Sequence, residues 1–153
     1  MSRVNLLCTA LIVGLMVSLS HVPTAFAGHA GAIGVWLTEG GKSKVEIYDC
    51  AGKLCGKIIW LKEPMNEAGT VKLDIHNPDE GMRKRKILGL DLLKSFVPDQ
   101  NEEHAWTDGK IYNPEDGELY SCNMELQDDG SLEVHGYVGL PLFGKTQVWT
   151  PGS

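Results

Sequence analysis

The sequence lacks the short motifs that mark common catalytic, metal and cofactor sites. It contains no G-x-S-x-G nucleophile elbow, no C-x-x-C redox pair and no Gly-rich phosphate loop that leads into a helix. The histidines that follow residue 27 show neither H-x-H nor H-E-x-x-H spacing. The sequence therefore predicts no cofactor and no metal, and it favours a protein that is not an enzyme.

Long apolar runs are also scarce, and the one that is present lies at the N-terminus. Arg3 precedes the uncharged, largely apolar residues 6–19, and the small-x-small sequence Ala25-Phe26-Ala27 follows Pro23. This order is that of a signal peptide, with cleavage after Ala27. A membrane anchor is the alternative, but the run is shorter than the roughly 20 residues that span a bilayer.

Cleavage would leave residues 28–153 as one domain without a further transmembrane segment. That domain has 13 basic and 20 acidic residues, a formal charge of −7. Because phosphate repels an acidic protein, the composition argues against a nucleic-acid partner.

Three cysteines remain in that domain, so they cannot all pair with one another. Cys50 and Cys55 flank a four-residue turn and are the natural disulfide pair in an oxidising compartment. Cys122 lies on the apolar face of a predicted strand, which indicates a buried, unreactive thiol. The C-x4-C spacing could instead be half of a metal site, but no second Cys or His pair completes it.

Helical periodicity is missing from the domain, whereas runs rich in Val, Ile, Tyr and Trp alternate with Gly, Asn-Pro and Asp-Gly turns. This pattern predicts eight or nine strands at hairpin spacing. Residues 87–96 fit a helix almost as well as a bulged strand. The predicted strands are residues 34–38, 44–50, 54–61, 70–75, 87–96, 105–112, 118–126, 131–138 and 145–150.

A single sheet of that many strands would leave two edges unpaired unless it closes or stacks. The strictly sequential hairpins favour an all-β fold, a single up-and-down antiparallel β-barrel of eight to ten strands, over a β-sandwich. A barrel of eight strands has room for one small ligand.

Several motifs spread along the domain support a family resemblance. Gly34-Val35-Trp36 resembles the Gly-x-Trp start of lipocalin-like (calycin) barrels. The longer set is residues 45–48, Cys-x4-Cys-Gly-x-Ile-x-Trp-Leu at 50–61, Asn77-Pro78, Gly89, Trp-x-x-Gly-x-Ile-Tyr at 106–112, Asn113-Pro114 with Gly117 and Tyr120, Gly136-Tyr137-x-Gly139 and Gly144-x4-Trp149. Together they are similar to an exported bacterial family of unknown function that is described as lipocalin-like.

The resemblance covers nearly all of residues 32–150 and implies a lipocalin-like barrel in the periplasm, without implying an activity. One position departs from the pattern. Similar chains place an Arg just after the last Trp, where it packs over the first-strand Trp. Here Thr150 and Pro151 follow Trp149, which leaves the packing partner of Trp36 open.

Aromatic and basic residues are the candidates for a ligand site. Tryptophans on different strands could form barrel core or the apolar wall of a pocket, with tyrosines as polar handles. The basic run 83–86 could hold an anionic head group or be a solvated loop. The ligand-binding candidates are Trp36, Trp60, Trp106, Tyr120, Tyr137, Arg83 and Arg85.

Three functions remain open at this level. The first is binding of a small apolar or amphipathic, lipid-like ligand inside the barrel, and the second is a non-enzymatic envelope protein-interaction module. The third is a hydrolase or isomerase that uses His135 and Glu133, which share a predicted strand face with Tyr137. Asp74, Asp79 and Glu80 flank Asn77-Pro78, and turn formation is sufficient to explain them.

Overall fold

The computed structural model describes residues 31–153 and shows an all-β chain. The predicted signal peptide, residues 1–27, lies outside the described residues. The strands are β1 Gly34–Leu37, β2 Ser43–Asp49, β3 Leu54–Leu61, β4 Asp91–Pro98, β5 Ala105–Asn113, β6 Glu118–Leu126, β7 Leu132–Tyr137 and β8 Gly144–Pro151. Two short 3-10 helices, Glu39–Gly41 and Glu80–Met82, lie in the connections.

The eight strands pair with their sequence neighbours in antiparallel fashion and close into a barrel. The last pairing joins β1 to β8, with Trp36 opposite Pro151 and Leu37 opposite Thr150. Closure leaves no free sheet edge, so the prediction of an up-and-down barrel is confirmed. The buried indole of Trp36 donates a hydrogen bond to the Ala32 carbonyl, 2.8 Å away, so it has a local partner without the family's Arg.

Up-and-down connectivity sorts the loops to two ends of the barrel. Turns β2–β3, β4–β5 and β6–β7 lie at one end, which we call the closed end, and the other four connections lie at the open end. Most of the buried core lies toward the closed end. Its largest members are Trp106, Trp149, Phe96, Ile47, Leu54, Leu93, Met124 and Leu132.

Close packing in this core depends on one glycine. The ring of Phe96 lies directly over Gly109, where an added Cβ would collide with three ring carbons. Any side chain at residue 109 would displace the ring, because protein cores are packed too densely to absorb it.

The prediction of a strand at residues 70–75 is wrong. Residues 62–90 form one long connection between β3 and β4, which we call the strap. Its only β pairings within the described chain outside the named strands are isolated bridges, from Met65 to Val71 and from Leu73 to Lys86. Apolar Val71, Leu73 and Ile75 occupy every second position, as in a half-buried strand. These residues nevertheless do not join the barrel sheet.

The predicted strand at residues 87–96 is confirmed in its second half. Strand β4 begins at Asp91, after a turn at Gly89 with a positive φ of 88°, and it extends to Pro98. Ser95 also has a positive φ, and the pairing with β3 shifts at that point. This bulge agrees with the bulged strand that the sequence pattern allowed beside a helix.

The disulfide between Cys50 and Cys55 is confirmed and links β2 to β3 at the closed end, with a Cα–Cα distance of 5.8 Å. Cys122 is buried, as predicted, and burial raises the pKa of its thiol to about 12. The thiol therefore stays protonated at neutral pH and is a poor nucleophile.

Replacing both Cys50 and Cys55 with serine should lower the free energy of unfolding by about 2 kcal/mol, because the bridge closes a short loop in the unfolded chain. Urea unfolding of the double variant and the wild type measures the difference. A loss of 5 kcal/mol or more, or none, would contradict this.

Candidate functional site

A large cavity occupies the half of the barrel that the core leaves unfilled. Its volume is about 1530 Å³, and it reaches the open end, where residues of the strap and of the β7–β8 loop line it. Its deep wall is apolar and buried, from Ile58 on β3, Val134 on β7 and Trp149 on β8. Apolar walls with a few placed polar groups are typical of small-molecule sites.

Strand β8 supplies one wall of this cavity through alternate residues. Lys145, Gln147 and Trp149 line the cavity, whereas Thr146 lines an outer groove and Val148 is exposed. The Trp149 indole donates a hydrogen bond to Oε1 of Gln147 over 3.0 Å. Polarity therefore rises along one strand from the buried indole to the ammonium group at the mouth.

Charged residues of both signs surround the mouth. Lys42 pairs with Glu115 and Lys72 pairs with Glu63, each at 3.6 Å. Asp116 accepts hydrogen bonds from the Tyr120 hydroxyl and the Asn113 amide, at 2.8 and 2.7 Å. Lys62 and Lys145 also line the cavity, and no carboxylate of residues 31–153 pairs with either of them.

A buried polar cluster attaches the strap to the barrel. Asp74 is fully buried, and its Oδ1 accepts a hydrogen bond from the Tyr112 hydroxyl of β5 at 2.7 Å. Its Oδ2 accepts from the Asn77 amide at 2.8 Å and from the Arg85 guanidinium at 2.7 Å. Arg85 also lies over the Tyr112 ring, 5.2 Å from its centroid. One carboxylate thus joins two parts of the strap to the barrel wall.

Opposing effects set the ionisation of this cluster. Burial alone would raise the pKa of Asp74, but the hydrogen bonds from Tyr112, Asn77 and Arg85, with the positive charge of Arg85, together lower it below 3.8. Burial and the neighbouring Asp74 carboxylate raise the pKa of Tyr112. Asp74 is therefore a carboxylate at neutral pH, and Tyr112 is a neutral hydrogen-bond donor.

This cluster accounts for the basic run at residues 83–86. Arg85 binds Asp74, while Arg83 donates from Nε to the Asn77 carbonyl at 2.8 Å and pairs with Glu80. Neither arginine lines the cavity. The two candidates instead hold the strap in its folded shape.

The aromatic candidates are divided between the cavity and other places. Tyr120 and Tyr137 line the cavity, whereas Trp36 and Trp106 are buried core and Trp60 is 41% exposed. Tyr137, the last residue of β7, also stacks on the ring of His135, with 5.8 Å between the ring centroids. Trp60 lies beyond an irregularity in the β2–β3 register, which follows Lys44.

His135 and Glu133, the candidates for acid–base chemistry, line a separate groove on the outside of the barrel, of about 400 Å³. Nε2 of His135 lies 2.6 Å from the Pro141 carbonyl, so it carries the proton and donates. Nδ1 then accepts from the Thr146 hydroxyl at 2.8 Å. Both ring nitrogens therefore already have hydrogen-bond partners within the protein.

The β7–β8 loop exposes large apolar side chains beside the cavity mouth. Val138, Leu140, Leu142 and Phe143 are all exposed, and Leu142 is 85% exposed. Contiguous exposed apolar groups commonly mark a binding surface.

Sequence reasoning missed Asp74, Lys145 and Gln147. Asp74 and Asp79 both take part in turns, since the Asp74 carbonyl accepts from the Asn77 backbone amide and the Asp79 carboxylate accepts from the Gly81 amide. The turn interpretation did not include the second role of Asp74, whose buried carboxylate accepts a hydrogen bond from Tyr112. Alternation along residues 145–149 could have placed Lys145 and Gln147 on the face of Trp149. Nothing in the local sequence indicates that Asp74 meets Tyr112.

The fold and the cavity together define a class. A closed eight-stranded up-and-down antiparallel barrel, with an apolar cavity at one end, is a lipocalin-like barrel. The chain belongs to the family described as "Uncharacterized protein conserved in bacteria (DUF2147)", whose family model matches residues 34–151.

A solved structure supports the same class. The chain is similar to a Helicobacter pylori protein whose structure is titled "Protein HP1028 from the human pathogen Helicobacter pylori belongs to the lipocalin family". The two share 25% sequence identity with a TM-score of 0.67, over 79% of this chain and 82% of that chain. A comparison with curated proteins found no match. Among residues 31–153, no helix has the length and apolar character to cross a membrane.

Proposed function

We propose that this protein is a periplasmic binding protein that holds a small apolar or amphipathic molecule in its barrel cavity. The observation that carries the proposal is the cavity itself, with its buried apolar wall and its opening at one end. Burial of apolar ligand surface against such a wall is favourable by roughly 25 cal/mol per Å².

Three further features support a carrier. The related Helicobacter pylori protein is described as a lipocalin, and barrels of eight strands hold one small ligand. The outer histidine has both ring nitrogens engaged, which disfavours the hydrolase or isomerase hypothesis. The signal-peptide pattern of residues 1–27 supports export to the periplasm.

The direct test is native mass spectrometry of protein purified from its own periplasm, followed by organic extraction. A small molecule that copurifies at one per chain supports the proposal and identifies the ligand. Two results together would contradict the proposal. The first is a mass without bound ligand in every purification, and the second is failure of the purified protein to bind N-phenyl-1-naphthylamine, a neutral apolar fluorescent probe.

Replacing Gly136 with leucine should weaken binding of N-phenyl-1-naphthylamine at least about tenfold. An added Cβ at residue 136 would contact Ile111 and Tyr120, and the rest of a leucine side chain would extend into the cavity. Fluorescence titration measures the affinity. Thr150→Leu is the matched control, since Thr150 is exposed on β8 and does not line the cavity. Equal affinity of the Gly136→Leu variant and the wild type would place the probe elsewhere.

The exposed β7–β8 loop favours the second candidate, a protein-interaction module of the envelope. Under this hypothesis the cavity is not a binding site, and the loop docks on a partner. Replacing Leu140, which is exposed and does not line the cavity, with serine would then weaken partner capture while leaving probe binding unchanged.

A further inference from the structure

We propose that the cavity selects amphipathic molecules with a single anionic head group, a carboxylate or phosphate monoester, which Lys145 and Gln147 bind at the mouth. This inference rests on the proposed carrier function and specifies its ligand class. The apolar tail would lie against Trp149 and Val134, deeper in the barrel.

Two polar residues of β8, Lys145 and Gln147, face the cavity, and both can donate hydrogen bonds to a ligand. Oε1 of Gln147 already accepts the Trp149 indole proton, which fixes the orientation of the amide. Its Nε2 group has no hydrogen-bond partner elsewhere in residues 31–153 and lies on the cavity wall. A primary amide and an ammonium group, two residues apart on one strand face, are suited to an anion's oxygens.

The charge of Lys145 is available to a ligand. Two other lysines at the mouth, Lys42 and Lys72, are already paired with glutamates. Lys62 is also unpaired in the described chain, but it follows the end of β3 and is not part of the Trp149–Gln147 row. Lys145 therefore combines a free charge with a position directly above the amide donor and the apolar wall.

Space for a head group is provided by the neighbouring strand. Gly136 on β7 pairs directly with Lys145, so it presents no side chain beside the ammonium group. An added Cβ at Gly136 would already lie 3.4 Å from Ile111. The opening beside Lys145 thus depends on the absence of a side chain at Gly136. This opening connects the ammonium group with the apolar part of the cavity.

Displacement of N-phenyl-1-naphthylamine by decanoate, decyl phosphate and 1-decanol tests the inference, because the three share one tail. Lys145→Met should weaken decanoate or decyl phosphate binding about tenfold, as expected for loss of one charge-assisted hydrogen bond, and change 1-decanol binding less than about twofold. Gln147→Glu should also weaken binding of the two anions and leave 1-decanol binding nearly unchanged. The glutamate keeps an acceptor for the Trp149 indole but places a negative charge beside the head group. The tighter of the two anions identifies the head group.

Lys94→Met is the matched control, since it removes the same charge from an exposed position on β4 outside the cavity. If Lys145→Met and Gln147→Glu leave anion affinity at the wild-type value, or weaken 1-decanol equally, the head-group inference is overturned although the carrier function stands. If the probe binds neither wild type nor variants, the carrier function itself fails.

Discussion

Replacing Asp74 with alanine should lower the free energy of unfolding by about 3 kcal/mol at neutral pH. The substitution leaves the buried Tyr112 hydroxyl without its acceptor, and an unsatisfied buried group costs about 1–3 kcal/mol. The Asn77 amide loses its bond to Asp74 but keeps its 3.1 Å bond to the Tyr112 oxygen. Arg85 is about one third exposed and can turn toward water, which keeps the loss below the 5 kcal/mol upper end of the range for a broken buried ion pair.

Urea unfolding of both proteins measures this difference, and Asp128→Ala is the control. Asp128 is an exposed aspartate in the β6–β7 turn, so its replacement should change stability by no more than about 0.5 kcal/mol. If Asp74→Ala behaves like Asp128→Ala, the cluster does not hold the strap.

The pH dependence of the same variant has a definite sign. The folded-state pKa of Asp74 is lowered, so its ionisation stabilises the folded protein above the unfolded-state value near 3.8. That contribution is lost as the pH falls through the lower folded-state pKa. The stability difference between wild type and Asp74→Ala should therefore be constant from pH 5 to 7 and begin to shrink below about pH 3.8.

The barrel could be predicted from the sequence because most of its strands carry a local signal. In β6, Cys122 and Met124 alternate with more exposed neighbours, and turns such as Asp129-Gly130 separate the hairpins. Local alternation decides which face is buried, and sequential hairpins leave few alternative pairings. The same rule predicted the bridge between Cys50 and Cys55, which a hairpin brings together.

The strap and the candidate site could not be predicted in the same way, since they depend on contacts between residues distant in sequence. Asp74 is separated from Tyr112 by 38 residues, and its neighbours alternate like those of a strand. The basic run 83–86 fitted either an anion site or a solvated loop, and its local sequence does not indicate the ion pair of Arg85 with the buried Asp74. The sequence near Lys145 likewise does not indicate that Lys42 and Lys72 at the mouth pair with glutamates while Lys145 does not.

Gly117, in the turn between β5 and β6, is where the strap meets the barrel at backbone level. Its φ is 78°, a left-handed conformation that favours glycine, and an added Cβ would collide with the His76 carbonyl oxygen. The contact involves backbone atoms, so a rotamer change cannot relieve it. Either the turn or the strap must move when residue 117 carries a side chain.

Gly117→Ala should consequently cost about 1–3 kcal/mol more than Gly130→Ala, an increment typical of overpacking. Gly130 has nearly the same φ, 82°, in the β6–β7 turn, with open space at the position of a Cβ. Both variants carry the left-handed strain of roughly 1–2 kcal/mol, so their difference isolates the strap contact. Because strap residues line the cavity, Gly117→Ala should also weaken probe binding, while Gly130→Ala at the closed end should not. Equal unfolding free energies for the two variants would contradict this prediction. They would mean that the strap moves away from residue 117 without a cost in stability.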